Sequence, residues 1–226
     1  SDPLSLLILD SDDYNGDGTS DFAVFRPATG LWAVRGVTRV YFGGRGDTPA
    51  AGDYDNDGTT DIAVFRDTTG LWAVRGISRV YFGREDDFPV PGDYNGDGRC
   101  DPAVFRPESG LWDFRDISRF YFGQSGDRPV PAYYQGGRVK MPAVYRPSIG
   151  LWACRKLSRF YYGENGDLPV PADYNYDGTD GAAIFRPETS LWAIRNFSRV
   201  YFGIVDDHPA PSAFRGGIGE DITIFR

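Results

Sequence analysis

A strict 40-residue period constrains the fold of this chain more than any other feature. Trp occurs at only five positions, each preceded by Leu: Trp32, Trp72, Trp112, Trp152 and Trp192. Such spacing without insertions indicates stacked copies of one supersecondary unit. We expect a single domain over residues 1–226, with repeats that begin near residues 7, 47, 87, 127, 167 and 207.

One repeat has the pattern of four short strands. Residues 48–54, 60–66, 71–75 and 78–82 are rich in β-branched and aromatic residues, and turn-forming residues separate them. The second of these strands lacks polar alternation, which is typical of a small sheet covered on both faces. Four strands in about 40 residues match one blade of a propeller. The sequence therefore predicts an all-β fold, a β-propeller of four-stranded blades.

The number of blades follows less directly from the repeat. The loop and strand that open each repeat occur six times, whereas the Trp segment occurs five times. We predict six blade positions with the last one incomplete; the alternative is five blades and a spare C-terminal hairpin. An incomplete last blade leaves an open strand edge, which invites either a second subunit, by self-association, or a neighbouring domain.

An acidic loop near the start of each repeat carries the strongest chemical signal. In residues 53–61, oxygen side chains occupy loop positions 1, 3, 5 and 9 (Asp53, Asp55, Asp57 and Asp61), and Gly58 occupies position 6. Calcium prefers six to eight oxygen ligands, and such a loop directs carboxylates inward. Thr59 at position 7 is expected to contribute its backbone carbonyl. Because the loop joins two strands and ends in Asp at position 9, it is not an EF-hand.

Other copies of the loop repeat this ligand set to different degrees. Two further copies are complete, with predicted ligands Asp13, Asn15, Asp17, Thr19 and Asp21, and Asp93, Asn95, Asp97, Arg99 and Asp101. A fourth keeps Asp173, Asn175, Asp177 and Thr179 but has Gly181 at position 9, so it should bind weakly unless Asp180 can reach the ion. We expect about three calcium ions and a weaker fourth.

The two remaining copies have lost the ligand pattern. Residues 133–141 contain no carboxylate and carry Arg138 and Lys140. In residues 213–221, Ala213, Arg215 and Gly217 replace the acidic positions and only Asp221 is retained. A cationic side chain in place of the ion is one interpretation, and decay to an ordinary turn is the favoured one.

Charge and composition argue against several functions. The net charge of −8 disfavours a nucleic-acid partner, which requires a clustered basic surface. No apolar run has the length of a membrane span. Cys100 and Cys154 fall at different repeat positions, so we expect no disulfide. With His208 as the only histidine, we expect no enzyme; a glycoside hydrolase with two carboxylates is the less favoured alternative.

The repeat resembles a known family of propeller blades. Residues 61–66 (Asp-Ile-Ala-Val-Phe-Arg) follow the acidic loop, Tyr81-Phe82-Gly83 come later, and the pattern resembles the FG-GAP repeat of integrin α-subunits. It is still closer to the bacterial FG-GAP-like or VCBS repeats, with Gly-Asp-Tyr-Asp-x-Asp-Gly before an apolar strand. The resemblance implies calcium in the loops and a secreted or cell-surface protein for adhesion or glycan binding. Phe-Arg-Pro replaces the family's Gly-Ala-Pro element, so integrin ligands do not carry over.

Two functions remain from the sequence alone. One is a calcium-stabilised extracellular module that binds a glycan or a protein, and the other is a structural spacer. The repeated Trp residues are expected to be buried between blades, and the repeated Arg residues are expected to be structural forks for carboxylates or carbonyls. The candidate ligand contacts are therefore non-repeated loop residues: Arg45, Arg84, Glu85, Gln124, Glu164, Asn165 and Ile204.

Overall fold

The fold is an all-β β-propeller with five four-stranded antiparallel blades. The computed structural model describes residues 7–8, 12–205, 207–213 and 219–225. The fold class is confirmed, and the five complete blades match the five-blade alternative. The sixth repeat contributes a two-stranded sheet. The chain comprises two compact units, residues 1–106 with 112–120, and residues 107–111 with 121–226.

The first unit contains blades one and two and most of blade three, whose residues 107–111 and 121 belong to the second unit. In each blade the strands follow one another in sequence order across the sheet. Blade one contains β1 Leu7–Ile8, β2 Ala23–Arg26, β3 Leu31–Val34 and β4 Thr38–Tyr41; blade two contains β5 Thr48–Pro49, β6 Ala63–Arg66, β7 Leu71–Val74 and β8 Ser78–Tyr81; blade three contains β9 Phe88–Pro89, β10 Ala103–Arg106, β11 Leu111–Phe114 and β12 Ser118–Tyr121.

The second unit contains blades four and five and the two-stranded sheet. Short 3-10 turns occur at Asp67–Thr69 in the first unit and at Pro147–Ile149 in the second. The strands of the second unit are β13 Arg128–Pro129, β14 Ala143–Arg146, β15 Leu151–Cys154 and β16 Ser158–Tyr161 in blade four, β17 Leu168–Pro169, β18 Ala183–Arg186, β19 Leu191–Ile194 and β20 Ser198–Tyr201 in blade five, and β21 His208–Pro209 with β22 Ile224–Phe225.

The first two strands of each blade are shorter than the sequence predicts. In blade two the regular ladder pairs only Thr48 and Pro49 with β6, and an isolated bridge joins Gly52 to Asp61. The N–H of Thr60 donates instead to the carbonyl of Asp13 in the preceding blade (2.7 Å). Because Pro49 has no N–H and Thr60 bonds outside its own sheet, the ladder is interrupted on both strands.

The five Trp side chains form the centre of the core, as predicted. Each is 0% exposed. The Trp72 ring centroid lies 5.2 Å from that of Phe65 on the neighbouring strand, and the indole N–H donates to the carbonyl of Phe82 (3.1 Å). Val104 of the next blade packs against the same cluster. Burial of both faces explains why these strands lack polar alternation.

Four blades carry a repeated buried ion pair. Asp47, 2% exposed, receives two hydrogen bonds from the guanidinium of Arg66 (2.6 and 2.9 Å). The same pairing joins Asp87 to Arg106, Asp127 to Arg146 and Asp167 to Arg186. For this set of Arg residues the prediction is confirmed: each guanidinium binds a carboxylate through two N–H groups. In blade one the sequence has Leu7 at the Asp position, and the buried Nε of Arg26 has no hydrogen-bond partner among the described residues.

Two further sequence predictions concern cysteines and membrane spans. Cys100 and Cys154 form no disulfide, as expected, and burial raises the pKa of Cys154. Within the described ranges, no helix combines the length and the hydropathy needed to cross a membrane.

Candidate metal centre

The acidic loops and their two altered copies lie between the first and second strands of their repeats. We number them one to six: residues 13–21, 53–61, 93–101, 133–141, 173–181 and 213–221. Loop two follows Gly52 and ends at its bridge partner Asp61. Asn56 (φ 63°) and Gly58 (φ 88°) adopt left-handed backbone conformations, which Gly and Asn tolerate best. These two residues allow the chain to reverse direction within nine residues.

Backbone N–H groups hold the carboxylates of loop two in place. Asp53 accepts hydrogen bonds from the N–H of Asn56 (2.7 Å) and of Gly58 (3.0 Å). At the far end of the loop, Asp61 accepts from the N–H of Tyr54 (2.9 Å). First and last ligand positions are therefore tied to the same turn, and their carboxylates need little rearrangement to share an ion.

Three carboxylates of loop two meet at one point. Asp53, Asp55 and Asp61 each place an oxygen within 4.8 Å of the others. Oxygens bound to one calcium ion are separated by at most about 5 Å, twice the metal–oxygen distance, so the cluster fits this cation. Burial, and then the charges of Asp55, Asp57 and Asp53, raise the pKa of Asp61. A bound cation would remove this repulsion.

Loops one and three have the same frame but an amide at position 3. Asp21 and Asp101 accept from the N–H groups of Tyr14 (2.8 Å) and Tyr94 (2.9 Å), as Asp61 does from Tyr54. The amide group of Asn15 donates to Asp21 (3.1 Å), and that of Asn95 donates to Asp97 (3.1 Å). Each Asn would have to turn its oxygen inward to serve as a ligand.

The residue at position 7 fixes the Asp at position 5. In loop two both the N–H (2.8 Å) and the hydroxyl (2.6 Å) of Thr59 donate to Asp57. Thr19 and Thr179 bond Asp17 and Asp177 in the same way, and in loop three the N–H of Arg99 donates to Asp97 (2.9 Å). The hydrogen bonds from Thr lower the pKa of Asp17, Asp57 and Asp177, which favours the charged form that a cation requires.

Loop five retains the frame but lacks the last ligand. Asp173 accepts from the N–H of Gly178 (2.8 Å), and Gly181 occupies position 9. The neighbouring Asp180 accepts a hydrogen bond from the N–H of Tyr133 in loop four (2.6 Å). Its carboxylate is therefore engaged by the preceding loop, so it does not replace the missing ligand in this arrangement.

Loops four and six serve as partners for loop five. The ammonium of Lys140 lies 5.8 Å from the ring centroid of Tyr133. Burial raises the pKa of Asp180, and the charge of Lys140 opposes part of this increase. In loop six, Glu220 accepts from the N–H of Asp173 (2.6 Å), and Asp221 accepts from the hydroxyl of Tyr176 (3.4 Å). Arg215 and Gly217 lie outside the described residues.

The non-repeated residues expected to contact a ligand lie in the loops between blades, where backbone N–H groups bond a buried Asp. The N–H of Arg84 donates to Asp87 (3.0 Å), and the same contact is made by Gln124, Glu164 and Ile204 in their loops. Glu164 also pairs with Arg186 (2.5 Å). The same backbone hydrogen bond is thus repeated in these loops, while the side chain at the donor position differs from loop to loop.

Sequence reasoning missed a set of exposed tyrosines. Tyr41, Tyr81, Tyr121, Tyr161 and Tyr201 end the last strand of each blade and are 65–76% exposed. An Arg lies two positions before each, whereas the residue between them is less exposed in four of the five blades. Side chains alternate between the two faces of a strand, and the residue between Arg and Tyr pairs with the buried Trp of the neighbouring strand. This pattern in the sequence indicates that Arg and Tyr lie on the opposite face.

No protein-family model matches the chain, and neither the curated proteins nor the solved structures include a match. The resemblance to FG-GAP and VCBS repeats therefore stays a prediction.

One cleft in the second unit adjoins loop five. Its volume is about 270 Å³, and its lining includes Phe160, Asn175, Asp177 and Arg195. The guanidinium of Arg195 lies 4.1 Å from the ring centroid of Phe160, so this Arg closes one wall through a cation–π contact.

Proposed function

We propose that this protein is a calcium-stabilised extracellular module whose propeller surface binds a glycan or a protein. The carboxylate cluster of Asp53, Asp55 and Asp61 carries the calcium part of the proposal. All of its donors are oxygens, which suits a hard cation, and backbone hydrogen bonds already hold the two end ligands. Two further loops share the frame, and loop five keeps most of it.

The extracellular location rests on the expected affinity of such loops. The complete loops offer three or four carboxylates each near the protein surface, and extracellular calcium modules of moderate affinity work at about 0.1–1 mM calcium. Calcium of that concentration is present outside cells. The resemblance to FG-GAP and VCBS repeats supports the same location and an adhesive role.

The binding role is favoured over a spacer by the exposed tyrosines. A spacer needs side chains that pack between blades, and the Trp residues already do this. Tyr81 is 76% exposed and its four equivalents are nearly as open. Aromatic side chains that remain in water in every blade are typical of contact surfaces.

Calcium removal is the first test of this proposal. We expect the chain to melt at a lower temperature in chelated buffer and a titration to end at about three ions. Each site filled at 100 times its Kd adds about 2.7 kcal/mol to the free energy of unfolding. Thermal unfolding with and without calcium, together with calorimetric ion counting, measures both quantities.

Matched variants identify the loop responsible. Asp61→Asn is expected to remove one ion, yet in chelated buffer it should be at least as stable as the parent, because it relieves the repulsion that raises the pKa of Asp61. Asp55→Asn should keep the ion, since loops one and three carry Asn at this position. Asp86→Asn, in an exposed loop between blades, is the charge control. An unchanged ion count in Asp61→Asn would contradict the assignment.

Restoration of loop five provides a gain-of-function test. We expect Gly181→Asp to add a fourth full-affinity ion, because it supplies the missing ninth ligand beside Asp173 and Asp177. A Cβ atom at residue 181 would meet only the carbonyl of Ala172 at 3.8 Å, an ordinary contact. Calorimetric titration of this variant beside Gly44→Asp measures the change. Gly44 lies in a loop between blades, and a Cβ atom there would meet nothing within 4 Å. Side chains already occupy the same repeat position in the next three blades, as Arg84, Gln124 and Glu164. No extra ion in Gly181→Asp would show that position 9 is not what weakens loop five.

A further inference from the structure

The charge of the chain is unevenly distributed between two parts of each blade. We call the segments from the repeated Leu to the residue after the last strand the outer hairpins: residues 31–42, 71–82, 111–122, 151–162 and 191–202. Together they contain eleven Arg or Lys and two Asp, a formal charge of +9, while the whole chain carries −8. The rest of the chain therefore carries −17, and a positive surface coexists with the acidic loops.

The last strand of each outer hairpin presents Arg and Tyr on one face. In blade two Arg79 lies opposite Ala73 and Tyr81 opposite Leu71, and residues two apart point to the same side of a sheet. Both side chains are exposed. The same pair occurs in all five blades, where the strand arginines are Arg39, Arg79, Arg119, Arg159 and Arg199.

These strand arginines differ from the arginines that pair with buried Asp. None of the five forms an ion pair with a described residue, whereas Arg66 and its equivalents do. The guanidinium of Arg199 forms a hydrogen bond with the hydroxyl of Tyr162, which is a neutral group. Each of the five exposed guanidinium groups thus shares a strand face with an exposed phenol ring, and no carboxylate of a described residue neutralises it.

We infer that the outer hairpins bind an acidic polysaccharide, with the Tyr rings stacking on sugar rings and the strand arginines binding their carboxylate or sulfate groups. This inference names the ligand of the binding module proposed above and rests on its binding role. Arg matches planar oxyanions through paired N–H donors, and exposed aromatic faces suit the apolar faces of pyranose rings. Repetition of the pair in neighbouring blades of the same unit suits a repeating polymer, because several weak contacts combine.

The charge of the remaining surface favours a polysaccharide over nucleic acid. Duplex DNA carries one charge per about 1.7 Å of its axis and depends on a strong positive field, which −17 elsewhere on the chain opposes. A polysaccharide with one carboxylate in every two sugars has a much lower charge density. Hyaluronate has this composition and is the probe of choice.

Binding of immobilised hyaluronate to the full chain, measured by surface plasmon resonance in calcium buffer, tests the inference. Neutral dextran and a DNA duplex serve as comparison surfaces. We expect binding to hyaluronate and little to either comparison polymer. Equal or tighter binding to DNA would overturn the choice of ligand, and no binding to hyaluronate would overturn the inference as a whole.

Two double variants with equal charge separate the outer hairpins from general electrostatic attraction. Arg39→Gln and Arg79→Gln together are expected to weaken hyaluronate binding roughly ten-fold, since charge-assisted contacts are lost. Arg128→Gln and Arg138→Gln, both exposed outside the hairpins, should together change it much less. Equal losses in both would contradict a specific surface. Aggregation of the first double variant without loss of affinity would show that these arginines only protect the sheet edges.

The tyrosines are tested with the charge unchanged. Tyr41→Ser, Tyr81→Ser and Tyr161→Ser together should weaken binding, while Phe at the same positions should restore it, because the ring face is retained. Ser and Phe triples of equal affinity would exclude stacking. If calcium fails to stabilise the chain while hyaluronate binding persists, only the calcium proposal fails; stabilisation by calcium without hyaluronate binding refutes this inference alone.

Discussion

Replacement of Trp152 by alanine is expected to lower the free energy of unfolding by about 4 kcal/mol, the usual cost of removing a buried Trp. Trp152 is 0% exposed, its ring centroid lies 5.1 Å from that of Tyr145, and its indole N–H donates to the carbonyl of Tyr162 (2.9 Å). Alanine removes the ring contacts and leaves that carbonyl without its donor. Urea unfolding followed by far-UV circular dichroism measures the change.

A control from the same blade makes this result specific. Tyr161 is 65% exposed, so Tyr161→Ala should change the free energy of unfolding by no more than about 0.5 kcal/mol. Comparable losses in the two variants would mean that the outer tyrosines, and not the Trp cluster, stabilise the blade. The same control shows whether the tyrosine variants proposed for the binding test remain folded.

The repeat allowed the fold to be predicted because its strongest signals are local. Trp152 and Leu151 mark the third strand of blade four in the sequence, and the structure places both in the core. The residue type at turn positions likewise predicts the backbone conformation, as at Gly58, which adopts a positive φ. The frame of the acidic loops was predictable for the same reason, since position 1 and position 9 lie in one short segment.

Contacts between successive repeats were not predictable from the pattern within one repeat. Thr60 reads as a strand residue, yet its N–H donates to Asp13 of the preceding loop. Asp180 lies next in sequence to the missing ligand position of loop five, yet it accepts a hydrogen bond from the N–H of Tyr133 in loop four. The repeated Arg residues also divide into two groups: Arg146 pairs with a buried Asp, whereas Arg159 is exposed. The residues next to each Arg in the sequence do not indicate which side chain from another strand it will contact.

The ion pair of Asp127 and Arg146 carries the second large expected effect. Arg146→Met is expected to lower the free energy of unfolding by about 3 kcal/mol, because the Asp127 side chain is 0% exposed and would lose its cation. The N–H of Gln124 would remain as a donor to Asp127 (3.0 Å), which limits the loss. Asp127→Asn should cost less, since Arg146 is 19% exposed and can recover contact with water.

Blade one provides the matched control for this prediction. Arg26 occupies the same repeat position, and its buried Nε has no hydrogen-bond partner among the described residues. Arg26→Met should therefore leave the free energy of unfolding unchanged or raise it slightly, because it removes a polar atom that gains nothing from burial. Urea unfolding of Arg26→Met and Arg146→Met side by side measures the difference directly. If both lose equally, contacts of the aliphatic part of the Arg side chain, and not the ion pair, stabilise this position.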